Sequence, residues 1–228
     1  MTTSRAVLFD AVGTLIYAEP SVDEVYEQIG RRFGSRHSLG EIGRRFRSSF
    51  AAEEEADRND PGCRTSEERE ERRWQAIVAA VLDDVDDRNA AFEELWRHFA
   101  RPVAWEPYED AIATISELNR RGVQIGVASN FDARLGPIIA AHFPGIRSDR
   151  VWASSQLGYR KPAENFFLAA ASLFDVRPLF VGDDVVNDFH GARTAGLQAL
   201  LIDRDARHPD VTPRISDLRQ LLDDPALR

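Results

Sequence analysis

The sequence predicts an α/β protein in which a parallel β-sheet core is interrupted, after its first strand, by an all-helical insertion. Short apolar runs at 6–9, 123–128, 179–181 and 200–202 read as buried strands of a parallel sheet. From Trp105 onward such runs alternate with segments of helical periodicity, the pattern of repeated strand–helix units. Between about Tyr17 and Ala100 the periodicity is helical throughout, which predicts four helices and no strand there.

The first strand is Ala6 to Phe9, with Asp10 at its carboxyl end and Gly13 to Ile16 as a tight excursion. Ser21 and Glu24 have capping-box spacing, Val22, Val25, Tyr26, Ile29 and Phe33 share one face, and Gly34 can end that helix. Ser38 and Glu41 repeat the spacing before Ile42, Phe46 and Phe50. A polar turn around Asp60-Pro61-Gly62 follows. Thr65 and Glu68 then signal the start of a third helix, with Trp74, Ile77, Val78, Val81 and Leu82 as its apolar face. The fourth carries Phe92, Leu95, Trp96 and Phe99 and stops near Pro102.

Beyond it, Ala111, Ile112, Ile115 and Leu118 mark a helix closed by Gly122, and Val123 to Ala128 a strand ending in Ser129-Asn130. Leu135, Ile138 and Ile139 mark another helix, Val151 to Ala153 a short strand, and Gly158 to Pro162 a loop before a helix from about Ala163 to Phe174. Leu179 to Val181 is a strand ending in Gly182-Asp183-Asp184, followed by a helix near Asp188 to Ala195. Leu200 to Ile202 is a further strand, and Leu218, Leu221 and Leu222 predict a short docking helix.

Composition excludes several classes. The formal net charge of −9 leaves no basic surplus for a nucleic-acid backbone. No apolar run approaches a membrane span, and Met1 to Arg5 leads straight into a strand rather than a signal peptide, so a cytoplasmic soluble protein is expected. The single cysteine, Cys63, excludes an internal disulfide, and the five histidines lack zinc spacing. Arg31, Arg32, Arg36, Arg44, Arg45 and Arg47 are read as solvated helix faces. Lys161 is the only lysine in an arginine-biased chain. A compact ammonium fits where a planar guanidinium does not, which makes Lys161 a candidate before any motif is considered.

All strands of a parallel sheet end on one edge, so Asp10, Ser129, Lys161 and Asp183 can converge there. Unpaired carboxylates would repel one another, and oxygen-only ligation favours magnesium. The competing reading of Asp183, Asp184 and Asp188 is a helix-cap cluster. Asp184 can substitute for either of the other two. Ser129 and Asn130 read as an anion-binding pair or as a plain helix cap, and Thr14 is open in the same way.

Together, Phe9-Asp10-Ala11-Val12-Gly13-Thr14-Leu15, Ala128-Ser129-Asn130, Lys161-Pro162 and Val181-Gly182-Asp183-Asp184-Val185-Val186-Asn187-Asp188 resemble the four ordered motifs of the haloacid dehalogenase-like hydrolases. The match extends through Ser129-Asn130-Phe131-Asp132-Ala133-Arg134-Leu135, and the insertion resembles the helical cap of subfamily I. The resemblance implies a Rossmann-like core of residues 1–16 and 101–228 with a four-helix-type cap at 17–100. It implies a magnesium-dependent phosphatase acting on a small phosphorylated molecule, as a monomer or homodimer.

In that family Asp10 would be the nucleophile, forming an aspartyl phosphate with Thr14 nearby. Ser129, Asn130 and Lys161 would hold the substrate, Lys161 also neutralising charge. Asp10, the Val12 carbonyl, Asp183 and Asp188 would hold Mg2+. One departure matters: phosphatases of the family carry a second Asp, a general acid and base, where this chain has Val12. Loss of such a group typically costs roughly 10²- to 10⁴-fold. A 2-haloacid dehalogenase and a non-catalytic binding protein are the alternatives.

Overall fold

The computed structural model describes residues 5–60, 62–224 and 227; Met1 to Ser4 and Pro61, with the expectations attached to them, lie outside the described residues. Strand β1 (Ala6–Phe9) is buried throughout and sits centrally in a six-stranded sheet. Its neighbours are β4 (Gln124–Ser129) and β6 (Leu179–Gly182), both parallel to it. The sheet continues through β5 (Val151–Ala153) on one side and through β7 (Gln198–Ile202) and β8 (Arg214–Ile215) on the other, giving the order β5-β4-β1-β6-β7-β8, all parallel.

Alternation along β1 divides the core into two layers. Val7 and Phe9 join the cluster containing Ile115, Leu118 and Ile139, which belong to α5 (Glu109–Arg120) and α6 (Leu135–His142). Ala6 and Leu8 point to the opposite face. They join Phe166, Phe167 and Phe180 under α8 (Glu164–Ala171), which follows the short α7 (Ser154–Leu157). Helices on both faces of a parallel sheet explain why its strands read as unbroken apolar runs. This is the Rossmann-like α/β core that the sequence predicts.

The insertion contains α1 (Val22–Arg32), α2 (Leu39–Asn59), α3 (Glu67–Val81) and α4 (Arg88–Phe99). They bury their own cluster of Tyr26, Ile29, Ile42, Ile77, Leu82 and Leu95. Ser21 and Glu24 form the expected reciprocal capping box, whereas Ser38 accepts from the Glu41 N–H without the return bond made at Ser21.

Several expectations are corrected. Tyr17 and Ala18 belong to a strand, β2 (Ile16–Ala18), which pairs antiparallel with β3 (Trp105–Pro107) and closes the base of the helical unit. Three residues are too short to show alternation. Ser66, rather than Thr65, caps α3, because the Thr65 hydroxyl is committed to Glu70 at 2.6 Å. The helix expected near Asp188 starts earlier, as a π-helical turn at Val185–His190 running into Gly191–Thr194. The tail docks through a 3-10 turn at Leu218–Asp223, with Leu218 and Leu221 buried. Among the described residues no helix is long and apolar enough to cross a membrane.

Candidate active site

Asp10 continues the line of β1, its N–H donating to the Val181 carbonyl of β6 at 2.8 Å. Ser129 ends the adjacent strand β4, and its hydroxyl donates to Asp10 Oδ1 at 2.8 Å. Lys161 arrives from the loop between α7 and α8. Its Nζ bonds that same Oδ1 and also Asp188 Oδ1, the latter at 2.5 Å. Asp183 leaves β6 one residue after Gly182 and accepts from the Thr14 hydroxyl at 3.3 Å. Asp188 comes back from the π-helical turn, its Oδ2 accepting the Asp184 N–H at 3.0 Å.

Two glycines permit this crowding. Gly13 has φ +88°, and a Cβ there would fall inside the Asp183 carboxylate. A Cβ on Gly182 would collide with the Asp188 carboxylate.

One oxygen from each of Asp10, Asp183 and Asp188 lies within 4.8 Å of the others, so three carboxylates face one ammonium. Burial, reinforced by Asp10 and Asp188, pushes the Asp183 carboxyl up to about 8. Burial also raises Asp188 to about 7, against the pull of Lys161. Burial opposes the charge on Lys161, yet Asp10 and Asp188 hold it above the usual lysine range. Three clustered carboxylates that offer only oxygen donors, offset by a single ammonium, suit a hard divalent cation.

The structure gives the remaining candidates different tasks. The Asn130 amide braces Lys161 by accepting from its N–H at 2.8 Å and donating to its carbonyl at 3.1 Å. Helix α6 begins only at Leu135, so Ser129 and Asn130 do not directly precede a helix N-terminus. Asp184 caps the following turn, accepting from the Val186 and Asn187 N–H groups at 2.8 and 2.7 Å. It is therefore not an interchangeable third member of the carboxylate group. The Val12 side chain is 38% exposed and lines the chamber above Asp10.

This chamber, of about 220 Å³, is roofed by the helical unit. The roof contains a buried charge lattice that the sequence reading missed. Arg160, beside Lys161, reaches Glu70 at 2.7 Å, Asp57 at 3.0 Å and Glu54 at 3.2 Å. Arg73 pairs with Asp57 and lies 3.5 Å from Glu70. Arg73 and Glu70 are each 1% exposed. The signal was present: Glu70, Arg73 and Ile77 have the spacing of one helix face, so two charges lie on an apolar stripe. The six arginines considered in the sequence lie elsewhere; five are exposed, and Arg45 is partly buried against Glu41 and Asp83.

Comparison with known proteins places this geometry in context. A family model for haloacid dehalogenase-like hydrolases matches residues 4–196. Haloacid dehalogenase-like hydrolase domain-containing protein 3 of Homo sapiens is 27% identical over 209 residues, covering 87% of this chain and 81% of that protein. A phosphoserine phosphatase of Thermus thermophilus is 29% identical over 161 residues, covering 64% of this chain and 63% of its own. A solved HAD phosphatase from Thermococcus onnurineus shares the fold, with TM-score 0.67, 24% identity and 96% of both chains covered.

Proposed function

The chain belongs to the haloacid dehalogenase-like hydrolases, and on that premise we propose that it is a magnesium-dependent phosphatase of a small phosphorylated molecule, working through an aspartyl phosphate on Asp10. One observation carries the reading: Asp10, Ser129, Lys161, Asp183 and Asp188 meet at the carboxyl edge of the sheet from separate segments. In this reading residues 17–100 act as a cap over a core of 1–16 and 101–228, in a cytoplasmic monomer or homodimer.

Asp10, Asp183 and Asp188, with the Val12 carbonyl, would hold the cation. Their clustered carboxylates, offset by a single ammonium, fit it. When bound, magnesium would supply charge neutralisation for the phosphoryl group.

The chain's own residues do the rest. Ser129 and Lys161 both bond Asp10 Oδ1, which supports Oδ2 as the oxygen that attacks phosphorus in this reading. The bond from phosphorus to the leaving oxygen breaks, and its electron pair stays with that oxygen, which takes a proton from water. Val12 has none to give. Water then attacks phosphorus, releasing inorganic phosphate and restoring the Asp10 carboxylate. Ser129 and Lys161 hold the phosphoryl oxygens in both steps, Asn130 keeps Lys161 in place, and Thr14 orients Asp183.

Phosphate release from acetyl phosphate tests the reading. Release that requires magnesium and disappears in Asp10→Asn supports it. Metal-independent halide release from 2-chloropropionate would replace it with the dehalogenase reading, and absence of turnover on both would leave a binding protein.

A further inference from the structure

The chamber above Asp10 has a polar floor and an apolar rim, where Val12, Phe50, Trp74 and Phe131 stand. Trp74 and Phe131 also line a second cavity, of about 50 Å³, at the seam between cap and sheet. Tyr26, Trp96, Phe99 and Trp105 add further aromatic walls. Its charged lining residue, Arg134, brings no free charge. The guanidinium stacks on Trp96 at 3.4 Å from the ring centre and bonds both oxygens of Asp132 at 2.7 Å.

The two arginines on the chamber side are equally committed. Arg73 and Arg160 are faced by the buried Asp57 and Glu70 and the partly buried Glu54. Asp57 also meets Arg69 at 3.1 Å and Glu54 meets Arg58 at 3.8 Å, so a second anionic group on a substrate would compete with carboxylates that already hold these arginines, whereas an uncharged apolar group meets aromatic walls. The cavity has room for roughly four water-sized groups, and its walls come from both sides of the seam, so parting them enlarges it.

Chemistry at Asp10 adds an independent constraint. With Val12 in place of a proton donor, the leaving oxygen departs as an anion, which favours an acidic hydroxyl over an ordinary alcohol.

We propose that the substrate is a phosphate ester of a small, uncharged, apolar phenol or enol, whose ring or chain seats in the aromatic cavity beside Trp74 and Phe131. This rests on the phosphatase reading. Asp10 Oδ2 bonds phosphorus as the phosphorus–oxygen bond to the phenol or enol breaks. The phenolate or enolate leaves with the electron pair and is protonated by water.

The experiment compares kcat/KM for phenyl phosphate, cyclohexyl phosphate, 2-phosphoglycolate and acetyl phosphate in the full chain with magnesium. Phenyl phosphate is expected to exceed cyclohexyl phosphate, of similar shape but with a more basic leaving oxygen, by about 100-fold. It should exceed the doubly anionic 2-phosphoglycolate by about tenfold or more. Val22→Phe, which fills the cavity from its partly exposed edge, should lower the phenyl-to-acetyl ratio about fivefold or more, with folding checked by circular dichroism. If that variant fails to fold, Trp96→Leu is read for a changed ratio in the same way. Asp10-dependent acetyl phosphate release with 2-phosphoglycolate as good as phenyl phosphate, or with an unchanged ratio in the folded cavity variant, overturns this inference alone. Absence of any Asp10-dependent release overturns the phosphatase reading and this inference with it.

Discussion

Replacing Arg160 by Met should destabilise the protein severely, although Arg160 makes no contact with Asp10. Its side chain is 3% exposed and is held by Glu70, Asp57 and Glu54, themselves 1, 8 and 13% exposed. Removing one partner from a buried ion pair typically costs about 3–5 kcal/mol, because the opposing charge stays buried without compensation. For a chain of this size each kcal/mol moves Tm by roughly 2–4 °C, so the expected drop is about 6–20 °C.

The control is Arg31→Ala, which breaks an i,i+4 pair with Glu27 in which the arginine is 65% exposed. Such pairs contribute about 0.3–0.5 kcal/mol, a shift of roughly 1–2 °C. Both variants are read by thermal unfolding at pH 7. Adding Glu70→Leu to Arg160→Met should restore part of the loss by removing a buried carboxylate that has lost its nearest cation. A drop below about 2 °C for Arg160→Met, equal to the control, would refute the view that this lattice is a buried and structurally committed network.

Three further outcomes follow from the site. Burial pushes the Asp183 and Asp188 carboxyls up to about 8 and about 7 in the folded chain, against about 4 when unfolded. The folded state therefore binds more protons, and magnesium-free protein should lose Tm as pH rises from 5 to 8. Added magnesium should raise Tm more at pH 8 than at pH 5, and an equal effect would remove these carboxylates as its site. Val12→Asp should raise kcat on an alkyl phosphate by roughly 10²- to 10⁴-fold, read by phosphate release; no change would show that proton transfer does not limit turnover. Lys161→Arg should cut acetyl phosphate turnover by about 10²-fold or more, because a planar fork cannot replace a point charge shared by Asp10 and Asp188.

The strands and the carboxyl-edge residues were legible because burial on both faces writes itself as apolar runs, and their ends carry the polar residues. Asp10, Ser129, Lys161 and Asp183 could be nominated from order alone, since a parallel sheet sends every strand end to one edge. The sequence also places Val12, a side chain with no proton to transfer, where phosphatases of the resembled family carry their second Asp.

Tertiary structure decided which polar residues do which work. Residue type alone leaves Asp184 and Asp188 interchangeable, and only the family resemblance nominates Asp188; the π-helical turn aims Asp188 at Lys161 and leaves Asp184 to cap the turn. Asn130 resembles a substrate ligand until its amide is found bonded at both ends to Lys161. Arg73, Arg160, Glu54, Asp57 and Glu70 come from helices α2 and α3 and the loop between α7 and α8. Their pairing depends on how those helices lie against that loop. Period and composition report which face of an element is buried; which charges meet across two buried faces is set only when the faces are brought together.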